Sequence, residues 1–236
     1  PLDELKANLP CGTFRMAEHF RWRGWGLIAE CKLQSPAKGR LTRSHSVTEF
    51  ADIYAAAGAA VISVHTDPHF LGSNEDFAAV RARVDTPLLR KDFIIDPYQV
   101  YEARALGADA VLLIVRILTP EELRQLLYLT WSLGMDALVE VHDRKDLEIA
   151  QETPAEFIGI NNRNLVTFET SVETTLDLLP YADKNRTIIS ESGIFMRADA
   201  VRVYEAGCKG VLVGEGLVRA ADVDAFAREL VGIKEQ

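Results

Sequence analysis

Short apolar segments recur along the chain, and segments with helix-start signals lie between them. Eight apolar segments predict strands, at Leu27–Cys31, Ala60–Val64, Pro87–Leu89, Ala110–Ile114, Ala137–Val141, Phe157–Ile160, Thr187–Ile189 and Gly210–Val213. Several are almost continuously apolar, which is typical of parallel strands that are buried on both faces. The pattern therefore indicates a parallel sheet whose strands are connected by helices.

Capping signals mark the starts of several intervening helices. Ser46 followed by Glu49 forms a capping box, which predicts a helix over Val47–Ala57. Thr170 followed by Glu173 has the same spacing and predicts a second capped helix. Such helices supply the right-handed crossovers that parallel strands require.

The alternation of strand and helix predicts an α/β fold, namely a single-domain (β/α)8 TIM barrel. Eight units of about 25 residues need about 200 residues, and such barrels typically contain about 250. A doubly wound open sheet is the alternative, but it needs no eighth strand. We expect residues 1–25 to form a short N-terminal extension across one end of the barrel, and residues 26–236 to form the barrel itself.

Composition and charge argue against several classes of protein. The chain is 48% hydrophobic and 26% charged, which is ordinary for a folded globule and unlike a disordered segment. No apolar run approaches the roughly 18 residues of a membrane helix, so we expect no membrane partner. The formal net charge is −9 and no basic run is present, so we expect no nucleic-acid partner.

Cysteine and histidine patterns give no support for a metal site. The three cysteines are an odd number at unrelated spacings, which is neither a disulfide framework nor a metal motif. The five histidines form no zinc-binding pattern. We therefore expect no bound metal and a location in the reducing cytoplasm.

Polar residues follow most of the predicted strands, where the active sites of such barrels lie. They are Glu30, Lys32, Arg90, Lys91, Asp92, Arg116, Glu140, Asn161 and Glu191. One charge at a strand end is ordinarily a solvated loop residue, but this repetition indicates a site. Because side chains alternate along a strand, Glu30 and Lys32 share a face and Cys31 takes the other. A mutual ion pair without a catalytic role is the alternative for Glu30 and Lys32.

Two glycine-containing loops are candidates for binding phosphate. Ser192–Gly193 follows the seventh strand, and Gly214–Glu215–Gly216 follows the eighth. Barrels of this type often bind phosphate in these two loops, where backbone N–H groups are exposed. The alternative is that the glycines serve only tight turns. A dinucleotide fingerprint is rejected because Arg219 stands where the third glycine is required.

Seven segments match the pattern of one known family, namely Ile28–Gly39, Leu89–Asp96, Tyr98–Ile114, Gly134–His142, Ile158–Leu165, Ser190–Ile194 and Leu212–Leu217. On these segments the chain resembles the indole-3-glycerol phosphate synthase family. The resemblance implies ring closure of 1-(2-carboxyphenylamino)-1-deoxyribulose 5-phosphate in tryptophan synthesis, with loss of CO₂ and water. It implies a small phosphorylated substrate and neither cofactor nor metal. We expect a monomer.

The resemblance also implies roles for individual residues. Lys91 matches the general acid that protonates the substrate carbonyl, and Lys32 matches the lysine that holds the substrate carboxylate. Glu140 matches the catalytic carboxylate of the dehydration. The supporting polar groups match Glu30, Asn161 and Glu191, and a substrate-contacting arginine matches Arg163. The phosphate-binding positions match Ser35, Gly193, Gly214 and the backbone of Glu215, with Ser192 in the same loop.

Several positions depart from the pattern of the family. They are Leu33, Ala37, His65, Asp67 and Leu71, and the N-terminal region is shorter than in most members. None of these changes removes a catalytic group. They bear on substrate affinity, loop closure and specificity. No role is assigned to the histidines.

Two other functions are compatible with a barrel of this kind. A sugar-phosphate isomerase such as phosphoribosylanthranilate isomerase uses a cysteine on the first strand, where Cys31 stands. However, the alternation directs Cys31 away from Glu30 and Lys32, and the fifth strand offers Glu140 rather than aspartate. A paralogue that binds a phosphorylated ligand without turnover is the second alternative, and turnover distinguishes it.

Overall fold

Eight parallel strands close into a barrel in the computed structural model, which describes residues 2–7, 9–35, 39–42, 44–164, 167 and 169–234. The strands are β1 (Gly26–Cys31), β2 (Val61–His65), β3 (Leu88–Lys91), β4 (Ala110–Ile114), β5 (Asp136–Val141), β6 (Phe157–Asn161), β7 (Thr187–Glu191) and β8 (Gly210–Val213). Each pairs with its neighbours in chain order, and β8 pairs with β1. The predicted (β/α)8 barrel is confirmed.

Two helices precede β1, and at least one helix follows every strand of the barrel. The helices are α1 (Leu2–Ala7), α2 (Arg15–Arg23), α3 (Val47–Ala57), α4 (Asn74–Arg83), α5 (Pro97–Ala105), α6 (Pro120–Ser132), α7 (Arg144–Gln151), α8 (Glu173–Leu178), α9 (Arg197–Ala206), α10 (Glu215–Val218) and α11 (Val223–Val231). A short hairpin, Gln34–Ser35 with Gly39–Arg40, follows β1. A 3₁₀ turn, Pro68–Phe70, follows β2.

One of the two predicted capping boxes is present. Ser46 and Glu49 cap α3 reciprocally, as predicted. The prediction for Thr170 is wrong, because Val172 is the N-cap of α8 and makes no side-chain cap. Thr170 instead pairs with Arg163 in an isolated antiparallel bridge. That extended pairing keeps Thr170 outside the helix start, although the local spacing fits a cap.

Four strands, β2, β3, β6 and β7, extend further toward the carboxyl end than the sequence predicts. β2 ends at His65 rather than Val64, and β3 ends at Lys91 rather than Leu89. The two terminal residues, His65 and Lys91, are partners in the β2–β3 register. This pairing places both of them inside the barrel wall instead of in loops.

The core has two layers, one inside the barrel and one between the barrel and the helices. The buried inner residues include Ile28, Leu89, Leu112, Leu138, Phe157, Ile189 and Leu212. Outward-facing residues pack against the helices, as Cys31 does in a cluster with Phe50 and Tyr54 of α3. Burial of apolar surface in both layers is the main force that stabilises the barrel.

Helix α2 closes the amino end of the barrel. Met16, Ala17 and Phe20 are buried there with the inner residues. Gly26 and Gly210 make room for the Phe20 ring. A Cβ at Gly26 would lie 2.7 Å from the nearest ring atom, and one at Gly210 would lie 3.0 Å from it. The opposite, carboxyl end of the strands is therefore the open end.

Candidate active site

The inward-facing residues at the carboxyl ends of the strands surround one cavity of about 290 Å³. It is lined by eleven of the predicted site residues, namely Glu30, Lys32, Lys91, Glu140, Asn161, Arg163, Glu191, Ser192, Gly193, Gly214 and Glu215. Ser35 has its backbone in the hairpin after β1, and its side chain lies outside the described part of the chain.

Lys91 is a buried cation among carboxylates. Its Nζ donates to Oε2 of Glu140 at 3.4 Å. Burial alone would lower the pKa of Lys91, but the negative charges of Glu140, Glu191 and Glu30 outweigh it and raise the pKa. Lys91 therefore keeps its proton at neutral pH and is a proton donor inside the cavity.

Glu140 and Glu191 are neighbouring carboxyl groups beside Lys91. Burial opposes the charge of Glu140, but Lys91, His142 and a hydrogen bond from Asn161 lower its pKa. Burial and the neighbouring charge of Glu140 raise the pKa of Glu191 well above its usual value. The two shifts run in opposite directions, so a proton on this pair favours Glu191, and Glu140 is the carboxyl group that favours the charged form.

Gly159 makes the approach of these two carboxyl groups feasible. It pairs with Glu140 in the β5–β6 register. A Cβ at Gly159 would lie 1.8 Å from Oε1 of Glu191. The absence of a side chain on β6 thus leaves the space that the Glu191 carboxyl group occupies.

Glu30 holds a second cation at the end of β1. Its Oε2 lies 3.6 Å from Nζ of Lys32, and its Oε1 lies 2.8 Å from Nε2 of His65. Burial opposes the charge of Glu30, but the neighbouring Lys32 and His65 lower its pKa far below the usual value. The predicted ion pair is present, and the Lys32 side chain also faces the cavity.

Cys31 points away from the cavity, as the alternation along β1 predicts. The thiol is buried under α3, and burial raises its pKa well above the usual value. An unreactive thiol outside the cavity cannot serve as the catalytic acid or base of an isomerase. The geometry therefore argues against the isomerase alternative.

The two predicted phosphate loops lie side by side at one edge of the cavity. Ser192 and Gly193 have φ values of +66° and +79°, a tight left-handed turn that glycine favours. Gly214 precedes α10, and Glu215 is its first residue. The Glu215 side chain lies beside Arg163, with 3.5 Å between Oε2 and Nη2. The Ser192 N–H donates to the backbone oxygen of Leu212 at 3.3 Å, which joins the two loops at this edge.

Two histidines to which the sequence assigned no role lie in the cavity wall. His65 forms a hydrogen bond with Glu30, and Nε2 of His142 lies 3.3 Å from Oε1 of Glu140. Burial lowers the pKa of both imidazoles. His142 follows Glu140 by two residues, and this spacing predicts that the two side chains share one face. No local signal connects His65 with Glu30, because the contact crosses from β2 to β1.

Two of the charged residues at the end of β3 have a structural role instead. Arg90 faces away from the cavity and is buried, donating to Thr66 at 2.9 Å and to Glu102 at 2.6 Å. Asp92 accepts from Thr66 at 2.7 Å and from Arg90 at 3.0 Å. This network holds the backbone of β3 on either side of Lys91.

Other positions that depart from the family pattern lie around the rim. Leu33 packs against the outer core. Asp67 caps the 3₁₀ turn after β2, and Leu71 ends that turn with a φ of +59°. Ala37 lies outside the described residues.

No helix in the described part of the chain has the length and apolar character needed to cross a membrane. Within those same residues, no group of three or more histidine, cysteine, aspartate or glutamate side chains is arranged to hold a metal ion.

The barrel architecture occurs in solved structures of other proteins. 3-Hexulose-6-phosphate synthase from Salmonella typhimurium superposes with a TM-score of 0.72 at 15% identity, covering 88% of this chain and 97% of that one. Thiamine phosphate pyrophosphorylase from Pyrococcus furiosus gives a TM-score of 0.65 at 16% identity, covering 90% and 96%. At this identity the likeness extends to the fold alone.

The closed barrel and the acid–base groups at its open end define the class of protein, a (β/α)8-barrel enzyme. A family profile described as "Indole-3-glycerol phosphate synthase" matches residues 4–230. The chain belongs to the indole-3-glycerol phosphate synthase family.

Similar proteins of that name occur in several bacteria. The protein of this name from Dehalococcoides mccartyi strain CBDB1 is 47% identical over 234 residues, which cover 98% of this chain and 90% of that protein. The one from Bordetella pertussis strain Tohama I is 50% identical over 207 residues, covering 87% and 79%.

Proposed function

We propose that the open end of the barrel closes the indole ring of 1-(2-carboxyphenylamino)-1-deoxyribulose 5-phosphate, with release of CO₂ and water. The observation that carries the proposal is the placement of the Lys91 ammonium beside the Glu140–Glu191 pair, inside the cavity. Membership of the family supplies the reaction, and this geometry supplies the acid and the base.

Lys91 acts first, at the ketone of the substrate. The aryl carbon that bears the carboxylate attacks the ketone carbon, and Lys91 gives its proton to the carbonyl oxygen as that oxygen becomes a hydroxyl. CO₂ then leaves, and its bonding electron pair restores the aromatic ring. A correctly placed general acid contributes roughly 10²–10⁴ in rate.

Glu140 acts in the dehydration that follows. It accepts the proton that is lost from the CH₂ group next to the nitrogen. The hydroxyl takes a second proton and leaves as water, which completes the indole. Lys32 is the second acid in this proposal, because the substrate carboxylate that it binds is lost as CO₂. Glu191 keeps the remaining proton of the pair and, with Asn161, orients Glu140.

The two ends of the substrate match the two sides of the cavity. The substrate carboxylate binds the Lys32 ammonium, whose charge is otherwise paired with Glu30 at 3.6 Å. The phosphate binds the backbone of Ser192–Gly193 and Gly214–Glu215, with Arg163 nearby. Ser35 is proposed as a further phosphate contact on the basis of the family resemblance.

The location and the oligomeric state are also part of the proposal. Three free cysteines, of which Cys31 and Cys208 are buried, support a reducing compartment such as the cytoplasm. We propose a monomer, which light scattering of the purified protein tests directly.

Turnover tests the proposed reaction. Formation of indole-3-glycerol phosphate is followed by its fluorescence for the wild type, for Lys91→Ala and for Lys209→Ala. Lys209 is an exposed lysine next to the amino end of β8, so it is a matched control. We expect wild-type turnover, a loss of at least about 10²-fold in Lys91→Ala and no change in Lys209→Ala. Binding of the substrate without wild-type turnover would instead identify a non-catalytic paralogue.

A further inference from the structure

His65 occupies the inner wall of the barrel between the two catalytic lysines. It is the last residue of β2, where it pairs with Lys91 of β3. On the other side, Ser63 of β2 pairs with Glu30 of β1. The side chain is 93% buried and lines the cavity. Its position is therefore next to the reacting groups and not on the outer surface.

The imidazole forms a hydrogen bond with Glu30. Nε2 lies 2.8 Å from Oε1 of Glu30. The charged groups that face the ring are Glu30, Lys32 and Lys91, and burial lowers the pKa of His65 despite the negative charge of Glu30. The ring is neutral at neutral pH, so the hydrogen bond requires Nε2 to carry the proton and donate it.

The turn after β2 fixes the plane of the ring. Phe70 stacks on His65 with 4.5 Å between ring centroids and 15° between planes. Gly72 lets the turn approach closely, since a Cβ there would lie 2.9 Å from Cβ of His65. Nζ of Lys32 lies 5.5 Å from the centroid of the Phe70 ring. The four side chains therefore form a closed ring of contacts in the order Glu30, His65, Phe70 and Lys32.

This arrangement divides the two oxygens of Glu30 between two partners. Oε1 accepts from His65, and Oε2 faces Lys32. We propose, on the basis of the proposed function, that His65 is a positioning residue for the reaction. By occupying one oxygen of Glu30, it limits the hold of Glu30 on Lys32 and leaves the Lys32 ammonium available to the substrate carboxylate.

The consequence is specific to substrate binding. Without the His65 donor, both oxygens of Glu30 are free to turn to Lys32, and Glu30 competes more strongly with the substrate carboxylate. We expect His65→Leu to raise KM about tenfold, because hydrogen bonds to charged groups have effects of that order. We expect kcat to change less than KM, because the hydrogen bond of His65 is to Glu30 and not to Lys91 or Glu140.

The test compares kcat and KM for four proteins. They are the wild type, His65→Leu, His65→Gln and His69→Leu. The glutamine amide keeps an N–H donor within reach of Oε1 of Glu30, so we expect its KM to return to within about threefold of the wild type. His69 lies in the same turn with an exposed side chain, so its variant is the control and keeps the wild-type KM. An equal fall of kcat in both His65 variants, or an unchanged KM in His65→Leu, would overturn the proposal.

A second measurement needs no turnover and keeps the two proposals separate. Proton–nitrogen NMR correlations of the wild type and Glu30→Gln report which His65 nitrogen carries the proton. We expect Nε2–H in the wild type at pH 7.5, with a proton shift that moves when Glu30 becomes Gln. The Nδ1–H tautomer, or a shift that ignores Glu30→Gln, would refute the positioning contact. Absence of wild-type turnover together with the expected NMR result would refute only the proposed reaction.

Discussion

An alanine at Gly159 removes the space that the Glu191 carboxyl group occupies. The new Cβ would lie 1.8 Å from Oε1 and 2.9 Å from Cδ of Glu191. Heavy atoms in ordinary contact are about 3.5 Å apart, so the carboxyl group has to move by roughly 1.7 Å. The substitution removes no ionisable group from the site, so it changes the geometry of the site and not its set of acids and bases.

The expected result is a large loss of kcat in a folded protein. A misplacement of about 1 Å costs about 10²-fold in rate, so kcat of Gly159→Ala falls by at least about 10²-fold. The assay is steady-state formation of indole-3-glycerol phosphate, with circular dichroism to confirm the fold. Ile158→Val is the matched control, since Ile158 precedes Gly159 on β6 but packs in the outer core. A kcat within threefold of the wild type in folded Gly159→Ala would refute the role given to the Glu140–Glu191 pair.

Two further predictions concern catalysis and stability. Glu140→Gln lowers kcat by about 10²–10⁴-fold because it removes the base, while equilibrium titration still detects substrate binding; undiminished kcat contradicts the assignment. Asp136 accepts from the backbone N–H of Ala17 at 3.0 Å, and burial raises its pKa from 3.8 to about 6. Its contribution to stability is therefore complete below about pH 3.8 and is lost as the pH rises through about 6, a change of about 3 kcal/mol. Urea unfolding between pH 4 and 7.5 should show the stability of Asp136→Asn increasing relative to the wild type, and a constant difference contradicts this.

The fold was accessible from the sequence because burial on both faces leaves a distinct apolar pattern in each strand. The ends of the strands were not, since pairing decides them. His65 and Lys91 belong to β2 and β3 because they are register partners, and neither residue is apolar. The capping pattern at Thr170 failed for the same reason, because its bridge to Arg163 depends on a distant segment.

The same distinction between local patterns and distant contacts applies to the site. Alternation along β1 predicted that Glu30 and Lys32 share the cavity face while Cys31 does not. Contacts between side chains of different strands could not be predicted from the local sequence. Examples are the bond from His65 to Glu30 and the approach of Glu191 over Gly159 to Glu140. These contacts set the protonation states, so the electrostatics of the site required the structure.

The most direct test of the account is a crystal structure with indole-3-glycerol phosphate bound. We predict the phosphate against the backbone of Ser192–Gly193 and Gly214–Glu215, with the indole beside Lys91 and Glu140. A product bound outside this cavity, or bound in reverse with its phosphate on Lys91, would contradict it.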